Sequence, residues 1–368
     1  MRVGIDARLV YYSRAGIGQY ILGLVEGLSK IDEENEYVLL QSRKDEAILA
    51  DRSNFFKKSI WTPSHHRLEQ FALPFEIAPL RLDILHSPDF IPPFRRDYKS
   101  LITVHDLAFI LYPHFLTHES ARYYGQIDRA VRDADHIIAD SQSTRRDIIS
   151  FLGVAESKIT VIYAAASSKY RPIQDEHSLK QIRDKYGLDR PFMLFVSTIE
   201  PRKNLPALLR AYRQLLDHYK LEVRLVVAGQ RGWFSGEVFA LTQTLKLNED
   251  VLFLGHVPTN DLLLLYNAAR VLVHPSFYEG FGLPPLEAMS CGTPTVVANV
   301  SSLPEVVGDA SLLVAPEDVQ GWTVAMWRVL TDESLRSELA DKGLKRAQLF
   351  SWEKAAQETL KLYERLQT

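Results

Sequence analysis

The chain has 368 residues, which is too long for one comfortable hydrophobic core and predicts two domains. Hydrophobic residues make up 46% and charged residues 24%, a balance typical of a globular protein and not of a disordered one. The net charge of −3 argues against a general nucleic-acid binder, and the single cysteine excludes an intramolecular disulfide and fits a reducing cytoplasm.

Membrane and export signals are missing from the sequence pattern. No apolar run reaches the roughly 18 residues of a membrane-spanning helix. Met1 leads directly into a strand pattern and not into a signal peptide. We therefore expect a cytoplasmic protein.

The first half alternates between strand and helix patterns. Strands are predicted over residues 2–6, 37–40, 84–86, 101–104, 136–139 and 159–162. Gly16 and Gly18 follow the first strand in a loop that opens an amphipathic helix. A dinucleotide-binding fold would carry a third glycine where Ile21 stands, so the loop indicates NAD only weakly. It is either a plain turn or a place where helix amides face a phosphate.

His105 and Asp106 follow the predicted strand 101–104, at the sheet edge where open α/β folds bind ligands. One interpretation is that His105 hydrogen-bonds a sugar hydroxyl while Asp106 orients the histidine or a loop. The other is a structural pair, because one such dipeptide is a weak motif. His86, in a similar position, is interpreted as structural.

No metal site is predicted. Asp133-Ala134-Asp135 has the spacing of a metal-binding Asp-x-Asp motif, but it lies between a helix and a strand and fits a solvated helix end better. The histidines show no metal-ligand spacing such as His-Glu-x-x-His.

Three segments of the first half mix aromatic and basic residues, namely 55–58, 65–67 and 94–96. They either form an interfacial patch that collects lipid-linked sugar acceptors from an anionic membrane, or are solvated faces scattered over the domain. No single long basic amphipathic helix decides between the two.

A polar segment over residues 170–177, containing Pro172, predicts the linker to the second half. Strands are predicted there over 192–196, 223–228, 251–254, 271–274 and 295–298, and two final helices over about 333–349 and 352–366. Strand–helix alternation in both halves predicts parallel sheets covered by helices on both faces.

Two cations follow the first strand of the second half. Arg202 and Lys203 lie between that strand and an amphipathic helix, which brings them to the carboxyl edge of the sheet. A solvated basic loop is the alternative.

The segment from 274 to 294 carries most of the functional information. A buried strand ends at His274, and Pro284-Pro285 suit the first turn of a helix. Between them, Gly280 and Gly282 allow close approach of a ligand, and the helix start suits a phosphate. Glu279 in the loop and Glu287, expected in the first turn, are suited to sugar hydroxyls. The segment therefore predicts a site for a sugar–diphosphate–nucleoside.

This segment closely resembles the donor signature of the retaining GT-B glycosyltransferases of family four, also called glycosyl transferases group 1, in which two glutamates stand eight residues apart. The resemblance implies that Glu279 contacts the transferred sugar and that Glu287 holds the ribose. Residues 200–204 resemble the family's Glu-Pro-Arg-Lys-Asn/Gly element, whose lysine contacts the diphosphate. Many relatives carry Gly-Arg where this chain has Ser197-Thr198, and Arg202 is the proposed substitute.

The resemblance implies two Rossmann-like domains facing across a cleft. The predicted acceptor domain spans 1–172, with the helix at 352–368 crossing back onto it, and the donor domain spans 173–351. The implied catalytic residues are His105, Lys203 and Glu279. The implied donor-binding residues are Gly16, Gly18, Arg202, Lys203, Gly280, Phe281, Gly282, Leu283 and Glu287.

The predicted activity is transfer of a hexose from GDP-mannose or a UDP-hexose to a glycan or lipid-linked acceptor, with retention, without a metal and without a cofactor. Residues 1–25 and 196–205 resemble bacterial mannosyltransferase-like enzymes of surface polysaccharide assembly. The alternatives are an epimerase-like enzyme on the same fold and a non-catalytic nucleotide-sugar binding subunit. The predicted location is the cytoplasm, with contact at the inner face of the cell membrane as one interpretation. No nucleic acid is expected as a partner.

Overall fold

The computed structural model describes residues 1–12, 16–113, 122–232 and 234–367, and the chain divides into two compact units. The first comprises Met1–Ala165 together with Phe350–Thr368, and the second comprises Ala166–Leu349. These boundaries lie a few residues before those predicted. Tyr170, placed in the predicted linker, belongs to the core of the second unit, where its ring meets that of Tyr266 edge-on.

The first unit is built on a parallel sheet. Its strands within the described residues are β1 (Arg2–Asp6), β2 (Glu36–Ser42), β3 (Phe55–Ile60), β4 (Ile84–Ser87), β5 (Lys99–Val104), β6 (His136–Ala139) and β7 (Ile159–Val161). They lie in the order β3-β2-β1-β4-β5-β6-β7. The described helices are α1 (Leu9–Tyr12), α2 (Gly16–Ile31), α3 (Glu69–Ile77), α4 (Ala108–Leu111), α5 (Ile127–Asp133), α6 (Gln142–Leu152) and α15 (Trp352–Gln367).

The second unit repeats this plan. Its strands within the described residues are β8 (Phe192–Val196), β9 (Arg224–Ala228), β10 (Val251–Gly255), β11 (Val271–His274), β12 (Thr295–Ala298) and β13 (Ser311–Val314). All are parallel, in the order β10-β9-β8-β11-β12-β13. The described helices are α7 (Glu176–Lys185), α8 (Leu205–Tyr219), α9 (Ser235–Thr244), α10 (Thr259–Ala268), α11 (Leu283–Ser290), α12 (Leu303–Val307), α13 (Val319–Thr331) and α14 (Glu333–Ala347).

The predicted fold class, α/β with two parallel-sheet Rossmann-like domains, is confirmed. Central strands such as β8 and β11 are apolar along almost their whole length because helices cover both faces of a parallel sheet. The strands β3 and β13 were not predicted. Both lie at a sheet edge and are partly exposed. Lys57, Lys58 and Ser59 interrupt the apolar pattern of β3, and the apolar run of β13, residues 312–314, is short.

The glycines near the first strand also differ from expectation. A short helix, α1, follows β1, and Gly16 and Gly18 lie in the first turn of α2 and not in a loop. Later in α2, Gly23 and Gly27 let α15 approach closely: a Cβ on Gly23 would lie 2.0 Å from the Trp352 ring. The last helix therefore packs on the unit that contains β1.

Candidate active site

Two loops of the second unit are joined at one edge of its sheet. The strands β8 and β11 are parallel neighbours, so the loops that follow them leave at the same edge. Asn204 adopts a left-handed conformation after the first loop, and its side-chain amide donates to the carbonyl oxygens of Pro275 (3.1 Å) and Pro316 (2.8 Å). The amide of Phe277 donates to the carbonyl of Arg202 at 2.9 Å. These bonds fix the predicted cations beside the predicted carboxylate.

Glu279 is the centre of a buried polar cluster. Lys203 Nζ lies 2.7 Å from its Oε1 and 2.9 Å from its Oε2. Arg202 Nη1 lies 3.4 Å from Oε2 and donates to the carbonyl of Tyr278 at 2.9 Å. His274 Nε2 lies 2.8 Å from Oε1, and the Ser276 hydroxyl donates to the same oxygen at 2.7 Å. The structure thus brings together three predicted site residues, Arg202, Lys203 and Glu279.

The cluster determines the charges of Glu279 and His274. Burial by itself would raise the pKa of Glu279, but the nearby Lys203 and Arg202 cations hold it well below its usual value. Burial lowers the pKa of His274, so the neutral ring donates through Nε2 to Glu279. Its buried Nδ1 has no hydrogen-bond partner among the residues that the structure describes. A carboxylate held in this way is a fixed negative acceptor for hydroxyl groups.

The loop after Glu279 is fixed by serines. The Glu279 amide donates to the Ser301 hydroxyl at 2.9 Å, and the Ser302 hydroxyl lies 2.9 Å from the carbonyl of Glu279 and 2.8 Å from that of Phe281. Gly282 has φ of 104°, a conformation that favours glycine, and an added Cβ would lie 2.7 Å from Leu303.

The helix start supplies fewer amides than the sequence suggested. α11 begins at Leu283, and Pro284 and Pro285 have no N–H to offer. A phosphate at this helix start would therefore face the amide of Leu283 and the loop from Gly280, and not a full first turn of amides.

Glu287 lies in the second turn of α11 and not the first, because the helix begins at Leu283. Its Oε2 accepts a hydrogen bond from the Tyr266 hydroxyl at 2.7 Å, and the Tyr170 hydroxyl is a second donor. Burial raises the pKa of Glu287 to about 7, and the two tyrosine hydrogen bonds counteract part of that rise. The carboxyl group of Glu287 therefore keeps its proton to a higher pH than an ordinary glutamate does.

His105 of the first unit is oriented by Asp140. The ring Nδ1 contacts Asp140 Oδ2, and Nε2 donates to the carbonyl of Pro88 at 2.7 Å. Burial lowers the pKa of His105, but Asp140 more than offsets that effect and raises it. The Asp106 carboxylate instead accepts a hydrogen bond from the Ala108 amide at 2.9 Å.

His86 is bonded within the first unit, to the Tyr363 hydroxyl and to the Thr103 hydroxyl, each at 2.8 Å. Gly16 is exposed, and an added Cβ there would meet nothing within 4 Å, whereas Gly18 is buried.

Among the described residues, no three histidine, cysteine, aspartate or glutamate side chains are grouped so as to hold a metal ion. Over the same ranges, no helix combines the length and apolar character needed to cross a membrane.

Comparison with known proteins identifies the family. "Glycosyltransferase Family 4" matches residues 14–166, and "Glycosyl transferases group 1" matches residues 179–346. O-antigen chain mannosyltransferase B of Escherichia coli is 34% identical, with the whole of both chains covered. The chain belongs to the family-four, group 1 glycosyltransferases.

Solved structures place this glycosyltransferase in the GT-B fold. Sucrose-phosphate synthase from Thermosynechococcus elongatus superposes with a TM-score of 0.81 at 21% identity, covering 100% of this chain and 99% of that chain. HepE from Anabaena, solved in complex with UDP-glucose, gives 0.76 at 19% identity, covering 99% and 100%. At these identities the likeness concerns the fold alone.

Several side chains of the candidate site were not predicted. They form hydrogen bonds to predicted residues, and the sequence pattern does not reveal these contacts. They are Asp140, His274, Ser276, Tyr170 and Tyr266. His274 and Ser276 were inside the segment singled out, and their polar character next to a buried strand was the available signal.

Proposed function

We propose that this glycosyltransferase moves a hexose from a nucleoside diphosphate to a hydroxyl of a glycan or lipid-linked acceptor, with retention and without a metal. The observation that carries the proposal is the buried contact of Lys203 with Glu279, with Arg202 beside it. The resemblance to an O-antigen mannosyltransferase favours GDP-mannose as donor, with a UDP-hexose as the second candidate. The enzyme would act at the cytoplasmic side.

The cations act on the leaving group. As the bond from the anomeric carbon to the diphosphate oxygen breaks, the electron pair leaves with the diphosphate. Lys203 has three N–H donors and places two on Glu279, which leaves one for a phosphate oxygen. Arg202 and the amides of Gly280, Phe281, Gly282 and Leu283 supply further positive partners. This stabilises the charge that grows in the transition state.

The carboxylates act on the two ends of the donor. Glu279 accepts hydroxyls of the transferred sugar, and Glu287 accepts those of the ribose, so the donor is oriented at both ends. The acceptor oxygen forms the new bond to the anomeric carbon on the face that the diphosphate leaves. The acceptor proton passes to an oxygen of the departing phosphate. In the first unit, His105 would hydrogen-bond a hydroxyl of the reacting sugar, and Gly16 and Gly18 carry no side chain that would hinder a phosphate at the start of α2.

Transfer is tested with GDP-mannose and UDP-glucose in the presence and absence of an oligosaccharide acceptor. We expect free nucleoside diphosphate only when the acceptor is present, together with a product linkage of the donor's anomeric configuration by NMR. Release of an epimerised nucleotide sugar without acceptor would support the epimerase-like alternative instead. Binding of nucleotide with no turnover of any donor would support the binding subunit.

Whether the negative charge of the leaving diphosphate is stabilised without a metal ion is tested separately with EDTA. Turnover is expected to survive, because Lys203, Arg202 and backbone amides supply the positive partners. Loss of turnover that added magnesium restores would contradict the metal-independent mechanism.

A further inference from the structure

The outer face of α3 in the first unit is apolar and exposed. Leu68, Phe71 and Phe75 follow one another at helical spacing and are 52%, 72% and 71% exposed. The opposite face carries Glu69, Leu73 and Ile77, which are buried, the two apolar ones in the core with β2, β3 and β4. A helix that is apolar on both faces needs a second partner, since the core covers one face only.

Trp61 extends this surface. It follows β3, it is 69% exposed, and its backbone amide donates to the Glu76 carboxylate of α3 at 2.7 Å. The guanidinium of Arg43 lies 4.1 Å from the centre of the Trp61 ring. We call Trp61, Leu68, Phe71 and Phe75 the α3 surface.

Basic side chains border the α3 surface. Arg95 lies 5.9 Å from the centre of the Phe75 ring, and its loop is tied to α3 because the Phe94 amide donates to Gln70 at 3.0 Å. Arg67 is exposed next to Leu68.

The carboxylates of the segment 61–77 are already engaged. Glu69 is buried against Arg8, and Glu76 accepts from the backbone amides of Trp61 and Thr62. The charged side chains that lie over or directly next to the four apolar residues and are exposed, at Arg43, Arg67 and Arg95, are positive. The exposed acids Glu46 and Asp97 stand three residues from Arg43 and two from Arg95.

We propose that the α3 surface docks onto an anionic lipid bilayer, with its aromatic side chains at the headgroup boundary and its arginines on lipid phosphates. Large aromatic side chains beside basic ones match the chemistry of a membrane interface, and the positive border complements negative headgroups.

This inference specifies which residues make the membrane contact. Of the three mixed segments in the sequence, 65–67 and 94–96 border the α3 surface. Segment 55–58 lies in the edge strand β3, where Phe55 is buried and Lys57 donates to the carbonyl of Asp45 at 2.5 Å. Docking at α3 would hold the enzyme where lipid-linked acceptors are concentrated.

The test is flotation of the full chain with vesicles, without donor or acceptor, so the result does not depend on transferase activity. We expect binding to vesicles of phosphatidylglycerol with phosphatidylcholine and little binding to phosphatidylcholine alone. The double variant Phe71→Ser/Phe75→Ser should bind about tenfold more weakly or worse. Phe151→Ser is the matched control, since Phe151 is 49% exposed on α6, which lies against β6 and β7.

Charge is tested with Arg67→Gln/Arg95→Gln, which should weaken binding to anionic vesicles about tenfold or more. The control is Arg146→Gln, at an exposed arginine of α6. Equal binding of each variant and its control, or no binding by the unmodified chain, would overturn the proposal. So would concentration-dependent dimerisation in sedimentation velocity that Phe71→Ser/Phe75→Ser abolishes, because the occupant would then be a second copy. Circular dichroism of each variant confirms that the fold is kept.

Discussion

At the scale of single residues, Glu279 and Lys203 depend on each other. Both residues are more than nine-tenths buried, and an unpaired charge at either position would be costly. The pair holds the carboxylate ionised and the ammonium beside the loop amides of the same sheet edge.

Replacing Glu279 separates sugar handling from nucleotide handling. Glu279→Gln should lower kcat by about 100- to 10,000-fold, because the sugar loses its charged acceptor. Affinity for free nucleoside diphosphate should stay the same or rise, since Lys203 loses its competing carboxylate. The measurement is steady-state transfer beside calorimetric titration of the nucleotide. Exposed Glu249→Gln is the control, and near-normal turnover of Glu279→Gln would remove Glu279 from the mechanism.

His105 gives a second residue-scale prediction. Both of its ring nitrogens are bonded within the first unit, so acting on a sugar hydroxyl requires exchange of the Pro88 bond. We expect His105→Ala to lower kcat about 100-fold or more, and Asp140→Asn to lower it less, with unchanged nucleotide affinity. Exposed His256→Ala is the control. A lower Tm with unchanged kcat would make His105 structural.

Glu287 makes stability depend on pH. Its pKa rises from 4.5 to about 7 on folding, so between these values the folded chain keeps a proton that the unfolded chain loses. This contribution to the free energy of unfolding is fully present below pH 4.5 and is lost as the pH rises through 7.

We therefore compare the free energy of unfolding of the unmodified protein with that of Glu287→Gln. The difference should fall in favour of the variant as the pH rises from 4.5 to about 7. The fall should be at most about 1 kcal/mol per pH unit, because solvent reaches part of the carboxyl group. Urea unfolding across the window measures it. Tyr266→Phe removes a hydrogen bond that lowers the pKa of Glu287, so the loss of stability should extend to higher pH in this variant. Parallel profiles for the unmodified protein and Glu287→Gln would refute the shifted pKa.

At the scale of elements, α2 and α15 pack closely because α2 carries glycines where they meet. A Cβ on Gly27 would lie 2.4 Å from the backbone oxygen of Trp352, which cannot move as a side chain would. Lys30 adds an exposed ion pair with Glu353 at 2.9 Å, which contributes little.

Gly27→Ala should therefore lower the free energy of unfolding of the first unit by about 1–3 kcal/mol. Gly16→Ala is the matched control on the same helix, because nothing lies within 4 Å of its added Cβ. That control should be neutral or slightly stabilising, as alanine favours helix over glycine. Chemical denaturation of both variants measures the change in the free energy of unfolding. An equal decrease in both would contradict close helix packing as the cause.

At the scale of the whole molecule, each unit has its own sheet and its own buried cluster. Lys203, Glu279 and Glu287 all lie in the second unit. Calorimetry should therefore resolve two transitions. A nucleoside diphosphate at a hundred times its Kd should stabilise the second unit by about 2.7 kcal/mol. Gly27→Ala should lower the midpoint temperature of the transition that belongs to the first unit. A single transition that responds to both changes would contradict this independence.

The sequence by itself determined the central strands, the family and the main charged residues of the site. Buried parallel strands such as β8 and β11 are almost continuous apolar runs, which the sequence pattern alone predicts. Arg202, Lys203 and Glu279 were found because strand–loop–helix order brings such loops to one sheet edge. Nucleotide identity, anomeric outcome and metal independence stay predictions.

Only the tertiary structure decided the pairings and the exposed faces. Asp140 lies 35 residues from His105, and Tyr266 lies 21 residues from Glu287, so no local pattern joins them. The edge strand β3 has no continuous apolar run, because residues 56–59 are exposed and include Lys57 and Lys58, and the apolar run of the edge strand β13 is only three residues long. The apolar residues of α3 suggest a buried helix, and only the packed unit reveals that Phe71 and Phe75 face away from the core. Sequence fixes which residues are apolar or charged, but contacts between distant segments decide which of them are covered.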